Sequence, residues 1–194
     1  MNRAGVGAIV LAGGRSSRFG RDKLAEPLAG RSLLERSIDG VRPLVAEIVV
    51  VAATDDERRW PDGVIVVNDS VAFEGPLVGL RTGLRRNTRP IVLVSGGDMP
   101  TMVESVLESM LARLADPAVE AAILEQEGRR RPLPAVVRTG PALVAADRLI
   151  AAGERRLRGL YDELATIVID EPTWRALDPA GLTLRDIDVP ADLS

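Results

Sequence analysis

Seven short apolar runs rich in Val and Ile alternate along this chain with stretches of helical period. That alternation constrains the fold more than any other feature, because strand–helix–strand units build a mostly parallel sheet. The candidate strands lie at 7–12, 47–52, 64–67, 91–95, 121–125, 133–137 and 165–169. Amphipathic stretches lie between and around them at 32–41, 77–86, 103–114, 141–152 and 157–164. Within 103–114, Val103, Val106, Leu107, Met110, Leu111 and Leu114 recur at helical spacing. The run Ile48-Val49-Val50-Val51 is apolar at every position, which suits a strand covered on both faces. The expected class is therefore α/β, a mostly parallel sheet with helices on both faces.

The chain has 194 residues, with no internal repeat and no low-complexity linker, so a single domain over 1–194 is expected. Aromatic residues make up only 3%, so aliphatic side chains must build the core. Gly128-Arg129-Arg130-Arg131-Pro132 reads as a polar turn between two strands. Residues 171–183 carry prolines and weak periodicity, and read as an irregular connection.

Composition removes several chemistries. With no Cys there are no disulfides, thiolate metal sites or cysteine nucleophiles. With no His there are no Ser-His-Asp triads or histidine general bases. A net charge of −3 does not suit an electrostatic binder of nucleic acid. No apolar run reaches the length of a membrane span. Met1-Asn2-Arg3-Ala4-Gly5 leads straight into the first strand, which argues against a cleaved signal peptide and for a cytoplasmic protein.

The opening strand runs into Leu11-Ala12-Gly13-Gly14-Arg15-Ser16-Ser17-Arg18-Phe19-Gly20-Arg21-Asp22-Lys23. Glycines let backbone N–H groups converge on an anion, and Arg18 and Lys23 can neutralise a polyphosphate. The spacing is neither a Walker A motif nor a G-x-G-x-x-G fingerprint. Ser16 and Ser17 have no partner base and serve as loop formers. The strand at 91–95 ends in Gly96-Gly97-Asp98-Met99-Pro100. A carboxylate at that edge suits Mg²⁺ carried by a nucleotide; the alternative is an N-cap for the following helix.

Three further clusters carry charge. Asn68-Asp69-Ser70 precedes Gly75-Pro76, where a helix starts; Asp69 could accept from the amino and ring N–H of guanine, or form an Asx turn. Asp186 and Asp188 alternate in an extended segment, so they point the same way and either could add an oxygen to a cation. A capped terminal turn is the alternative. Gly153-Glu154-Arg155-Arg156 either projects charge into a cleft or opens a solvated helix.

With these residues in place, the chain resembles the molybdenum cofactor guanylyltransferases, members of the sugar-nucleotide-transferase-like α/β superfamily. The resemblance runs from Gly7 to Leu193 and rests on the opening loop, the Asp69…Gly75-Pro76-Leu77 block, Asp98-Met99-Pro100, Ala152–Arg156 and the ending Asp186–Leu193. It implies a three-layer, Rossmann-like fold of the nucleotide-diphospho-sugar transferase type. It implies transfer of GMP from MgGTP to the terminal phosphate of molybdopterin, with release of pyrophosphate. By resemblance Leu11, Ala12, Gly13 and Gly14 hold the nucleotide, with Gly75 and Pro76 beside it. Arg18 and Lys23 contact phosphates as catalytic groups. Asp69 reads guanine and Asp98 is the catalytic Mg²⁺ ligand; beside it, on the chemistry of its own carboxylate, Asp188 could serve as a second metal ligand. Transient contact with molybdoenzymes or cofactor-biosynthesis proteins is implied as well.

The sequence departs from the family pattern in three places. Ala52 stands where a second guanine contact, an asparagine, is usual. Arg131-Pro132-Leu133-Pro134 stands where a histidine precedes proline. Asp186 and Asp188 stand for a pair of asparagines. The departures fall on base and acceptor contacts, not on the phosphate and metal residues. They keep open cytidylyl transfer to molybdopterin, transfer to a sugar phosphate, or a non-catalytic nucleotide- or pterin-binding protein.

Overall fold

Alternate residues of a strand point to opposite faces, and in this protein both faces are apolar. In β1 (Val6–Leu11), Ala8 and Val10 enter one core while Ile9 enters the other. The computed structural model describes residues 3–13, 22–28, 30–54, 56, 58–68 and 75–187. After β1 come the two-residue strands β2 (Pro27–Leu28) and β3 (Arg31–Ser32), then α1 (Leu33–Val41), β4 (Glu47–Ala52) and β5 (Ile65–Asn68). There follow α2 (Pro76–Arg86), β6 (Ile91–Gly96), α3 (Glu104–Arg113), β7 (Ala121–Gln126) and β8 (Arg129–Arg138). Then come α4 (Thr139–Ala151), α5 (Leu157–Glu163), β9 (Thr166–Ile169) and α6 (Glu171–Arg175), followed by a 3₁₀ turn at Leu182–Leu184.

Seven strands form the main sheet in the order β5-β4-β1-β6-β8-β7-β9. One core packs Leu34 and Ile38 of α1, Val106, Leu107 and Met110 of α3, and Trp174 of α6 against Val10, Val50 and Leu93. The opposite core packs Leu77, Leu80 and Leu84 of α2, Ala142 and Ala146 of α4, and Leu160 of α5 against Ile9, Val49 and Val94. The architecture is the expected three-layer α/β arrangement.

Local signals explain the elements. Ser32 caps α1: its Oγ accepts from the Glu35 N–H at 3.2 Å while Glu35 accepts from the Ser32 N–H at 2.8 Å, a capping box. Donation by the Ser32 N–H, then by its hydroxyl, holds the Glu35 carboxyl below its usual range. Helix α2 lies so close to β1 that a Cβ on Gly83 would sit 2.7 Å from Ile9 Cγ2. Gly83→Ala should cost about 1–3 kcal/mol, as overpacking does, and a thermal melt reads that loss.

Two expectations are corrected. Arg129–Arg131 are not a turn. The turn is Glu127-Gly128, both at positive φ (52° and 70°), a geometry that joins adjacent antiparallel strands. The three arginines begin β8, with Arg129 opposite Gln126 and Arg130 opposite Glu125. Strand β8 runs antiparallel to both β6 and β7, an insertion within an otherwise parallel sheet.

Residues 171–183 are not irregular throughout. Asp170 caps α6 by accepting from the Thr173 N–H at 2.9 Å. Trp174 is fully buried and donates its indole N–H to the Glu125 carbonyl at 2.8 Å. Five residues are too few to show a period, so this helix left little pattern. Beyond it, the buried Asp178 carboxylate accepts from the N–H groups of Leu182 (3.0 Å) and Thr183 (2.7 Å). Burial pushes the Asp178 carboxyl up, but donation from the Thr183 backbone and hydroxyl, Leu182 and Gly181 outweighs it and leaves it below the usual carboxylate range. A lowered folded-state value means stability present at neutral pH and lost as pH falls through that value. Asp178→Asn should cost about 1–3 kcal/mol at pH 7 and flatten the acid limb of a stability–pH curve.

Candidate active site

Chain order reverses its direction across the sheet between β1 and β6: β4 and β5 add on one side of β1, and β6 on the other. In open α/β sheets ligands bind beyond the carboxyl ends of the strands at such a switch point. Leu11, Ala12 and Gly13 leave β1 there, and Gly97 and Asp98 follow β6. The two exits are joined, since the Gly97 N–H donates to the Leu11 carbonyl at 3.0 Å. On the other side, the Ala12 N–H donates to the Val51 carbonyl at 2.8 Å. Gly13 passes close to β4; a Cβ there would stand 3.4 Å from the Ala53 nitrogen.

Lys23 and Asp98 meet at this edge. Lys23 Nζ donates to Asp98 Oδ2 at 2.9 Å across 75 residues of sequence. The Lys23 side chain is 11% exposed and that of Asp98 34%, so the carboxylate faces outward over a largely covered ammonium. The glycines before Asp98 are fitted to it. A Cβ on Gly96 would fall 2.4 Å from Asp98 Oδ1, and one on Gly97 about 3.1 Å from Leu24 Cδ1. The buried Ser37 hydroxyl fixes the loop by donating to the Gly97 carbonyl at 2.9 Å. Asp98 does not cap a helix: Val103 stands at the start of α3, with no side-chain cap.

The carboxy-terminal segment reaches the same place. The Ile187 N–H donates to the Asp98 carbonyl at 3.2 Å, and the Ile187 side chain is buried beside Leu33. Asp186 therefore lies next to the exit of β6, where Arg131 donates to its carboxylate at 3.1 Å. The structure thus brings together Leu11, Ala12, Gly13, Lys23, Asp98 and Asp186. Gly14, Arg18, Asp69 and Asp188 lie outside the described residues. Among the described residues no three acidic, His or Cys side chains cluster as a closed metal cage. A single outward carboxylate is nonetheless what Mg²⁺ requires when it comes with a polyphosphate, since it keeps waters and takes one or two protein carboxylates.

Gly75 and Pro76 meet a different neighbour. Gly75 has φ of +102°, and a Cβ there would come 2.9 Å from the Arg155 carbonyl oxygen. That carbonyl accepts the Leu77 N–H at 3.1 Å, so this donor of α2 is satisfied within the protein. Glu154 turns back on its own chain, accepting from the N–H groups of Arg155 (2.8 Å) and Arg156 (2.9 Å). Those donors, Arg156 first, hold its carboxyl below the usual range. The Arg155 backbone thus braces α2, and the Glu154 carboxylate is taken up by its own chain. Gly75→Ala should lower the melting temperature, because it sets strained backbone against a fixed carbonyl, and a thermal melt checks it.

Two signals went unread in the motifs. Lys23 is the only lysine of the chain, every other member of the 25 Lys and Arg residues being arginine. Asp22 accepts from the Leu24 N–H at 3.1 Å and so starts the short 3₁₀ turn Lys23–Ala25 that carries the ammonium.

The chain has relatives both in sequence and in fold. Residues 8–167 match the family model described as MobA-like NTP transferase domain. A probable molybdenum cofactor guanylyltransferase from Chloroflexus aggregans is 36% identical over 97% of this chain and 91% of its own length. A molybdenum cofactor guanylyltransferase from Desulfosudis oleivorans is 28% identical over 97% of this chain and 92% of its own. Among solved structures, molybdopterin-guanine dinucleotide biosynthesis protein A from Archaeoglobus fulgidus superposes with a TM-score of 0.80 at 24% identity, covering 96% of this chain and 94% of that one. The 4-diphosphocytidyl-2C-methyl-D-erythritol synthase from Anaerococcus prevotii shares the fold at a TM-score of 0.72 and 16% identity, with 99% and 96% covered.

Proposed function

The chain belongs to the MobA-like NTP transferase family, and from that premise we propose that it moves GMP from GTP onto the terminal phosphate of molybdopterin, releasing pyrophosphate. The observation that carries the reading is the Lys23–Asp98 pair at the switch point, beside the Leu11-Ala12-Gly13 exit. Two near-full-length relatives bearing the guanylyltransferase name support the substrates. Both cores share one sheet, which supports treating 1–194 as a single transferase domain.

The nucleophile is an oxygen of the acceptor phosphate. It attacks the α-phosphorus of GTP; a new P–O bond forms, the bond to the β-phosphate oxygen breaks, and pyrophosphate carries away the electron pair. A phosphate monoester has its second pKa near 6 and is largely dianionic at neutral pH. The reaction therefore needs no general base, and a chain without histidine can carry it out. What remains for the protein is positioning and charge stabilisation. Lys23 supplies a compact positive charge to the phosphates, joined by Arg18. Asp98, with Asp188, would hold Mg²⁺, which when bound with the nucleotide neutralises phosphate charge. Gly14 completes the nucleotide turn, and Asp69 reads the base.

Ala52 is fully buried and offers no polar group to a base. The register of β4 and β5 sets Asn68 directly beside it, with its amide donating to the Thr54 carbonyl at 3.2 Å. Base discrimination accordingly falls on Asp69 in our reading. No helix among the described residues is long and apolar enough to cross a membrane, and a cytoplasmic location is proposed on the substrates and the cysteine-free chain. The test is pyrophosphate release from GTP, CTP, ATP and UTP in turn, each with Mg²⁺ and with or without molybdopterin. Release from GTP alone, dependent on molybdopterin, is expected. Release from CTP, or with a sugar phosphate as acceptor, would replace this reading, and binding without release would make the protein non-catalytic.

A further inference from the structure

We infer that Arg58 is a positioning residue for the nucleotide end of the site: it holds Lys23 in place through Asp22 and the Ala12 carbonyl without touching substrate. The inference rests on the functional reading above only for what Lys23 does in turnover.

Arg58 stands outside every motif, in the segment between β4 and β5, yet its guanidinium reaches both the entry and the exit of the Gly-rich stretch. Its Nη2 donates to the Ala12 carbonyl at 3.2 Å, just after β1. Its Nε lies 3.5 Å from Asp22 Oδ2, immediately before Lys23. The other Asp22 oxygen accepts from the Leu24 N–H and starts the turn that carries Lys23. A continuous set of contacts thus runs from Arg58 through Asp22 and that turn to the ammonium on Asp98.

The guanidinium is itself held by two groups, Asp56 and Trp60. It donates from Nε to both Asp56 oxygens, at 2.8 and 3.0 Å, and its Nη2 also bonds Asp56. Its plane lies over the Trp60 ring at 5.3 Å. Burial raises the Asp56 carboxyl, but hydrogen bonds and charge from Arg58 outweigh it and keep Asp56 below its usual range, hence ionised. Asp56 and Trp60 act as the anchor, while Nη2 also reaches the Ala12 carbonyl and Nε stays within ion-pair distance of Asp22. A lysine could not replace this, because one point charge lacks the planar fork that addresses separate acceptors. Among the described residues Arg58 Nη1 is buried without a partner. A buried unmet donor is destabilising, so stability alone is a poor reason for a guanidinium here.

Lys23 being the sole lysine makes the test direct. Acetylation by sulfo-N-hydroxysuccinimide acetate, followed by peptide mass spectrometry, reads the exposure of that one side chain without any turnover. In full-length Arg58→Met, Lys23 should acetylate several-fold faster than in wild type. Its kcat for pyrophosphate release should fall about 10-fold to 100-fold, the scale of a sub-ångström to one-ångström misplacement, with KM for the acceptor unchanged. Asp22→Asn keeps the acceptor for Leu24 but loses the charge facing Arg58, and should act in the same direction. The double variant should be no worse than the more affected single one. If Arg58→Met does not fold because Asp56 is stranded, Arg58→Met with Asp56→Asn removes the stranded charge and serves instead. Wild-type acetylation and kcat in a folded variant, or effects that multiply in the double variant, would overturn the inference. Absence of pyrophosphate release from wild-type protein would instead sink the functional reading, and the acetylation rates would still decide the role of Arg58.

Discussion

Asp98→Ala is expected to lower Mg²⁺-dependent pyrophosphate release by about 10²-fold to 10³-fold, the scale seen when one preorganised electrostatic group is removed, in a protein that still folds. The carboxylate stands outward at the exit of β6 and contacts the largely covered ammonium. Folding should survive because the backbone at this position does the structural work. The Asp98 carbonyl holds Ile187, and the preceding Gly97 is held by Leu11 and Ser37. None of those bonds uses the side chain. Asp98→Asn is the stricter version: it keeps an oxygen for Lys23 but loses the charge a divalent cation needs. A titration of rate against Mg²⁺, beside circular dichroism melts, separates the two roles. Full turnover in a folded Asp98→Asn would remove this residue from the metal site.

Lys23→Ala should slow turnover by about 10²-fold or more if the ammonium contributes the roughly 2.7 kcal/mol typical of such a donor. Lys23→Arg should rescue little of it. The Lys23 side chain is 11% exposed, so little open space surrounds its compact charge, which stops on Asp98 at 2.9 Å. Arginine is longer, planar and forked, and would reach past Asp98 instead of stopping on it. This chain uses arginine at every other Lys or Arg position. Steady-state kcat with saturating MgGTP and acceptor is the deciding measurement. Near-wild-type kcat in Lys23→Ala would reduce Lys23 to a structural partner of Asp98. Equal rates in Lys23→Arg and wild type would show that charge alone suffices.

Much of the site was legible because it lies at strand exits. A buried strand ending in glycines and an acid, as Ile91–Gly96 with Gly97-Asp98 does, exposes its polar residues at the sheet edge by construction. Asp186 was legible as a polar residue in an extended tail, but its place beside Asp98 was not; that depends on Ile187 being buried against Leu33. Arg58 was not legible at all. It belongs to no repeat or spacing, and it matters only because β4 lies next to β1 and delivers the following segment to Ala12 and Asp22.

The pattern of residues alone determined the elements and their class. Runs such as Glu47–Ala52 are apolar on both faces, so they demanded helices above and below, and the loops between left room for parallel crossovers. It also determined which chemistries were impossible, because a chain without Cys or His must work with carboxylates, cations and backbone. Tertiary structure decided the rest. It turned the arginines of 129–131 from a turn into an antiparallel strand, through two positive-φ residues that no periodicity reports. It folded α6 around Trp174, and it chose the side of β1 on which β6 docks. That last choice brings Lys23 to Asp98 over 75 residues. Local pattern reports which face of an element is apolar, whereas the pairing of distant strands depends on the packing of the whole sheet.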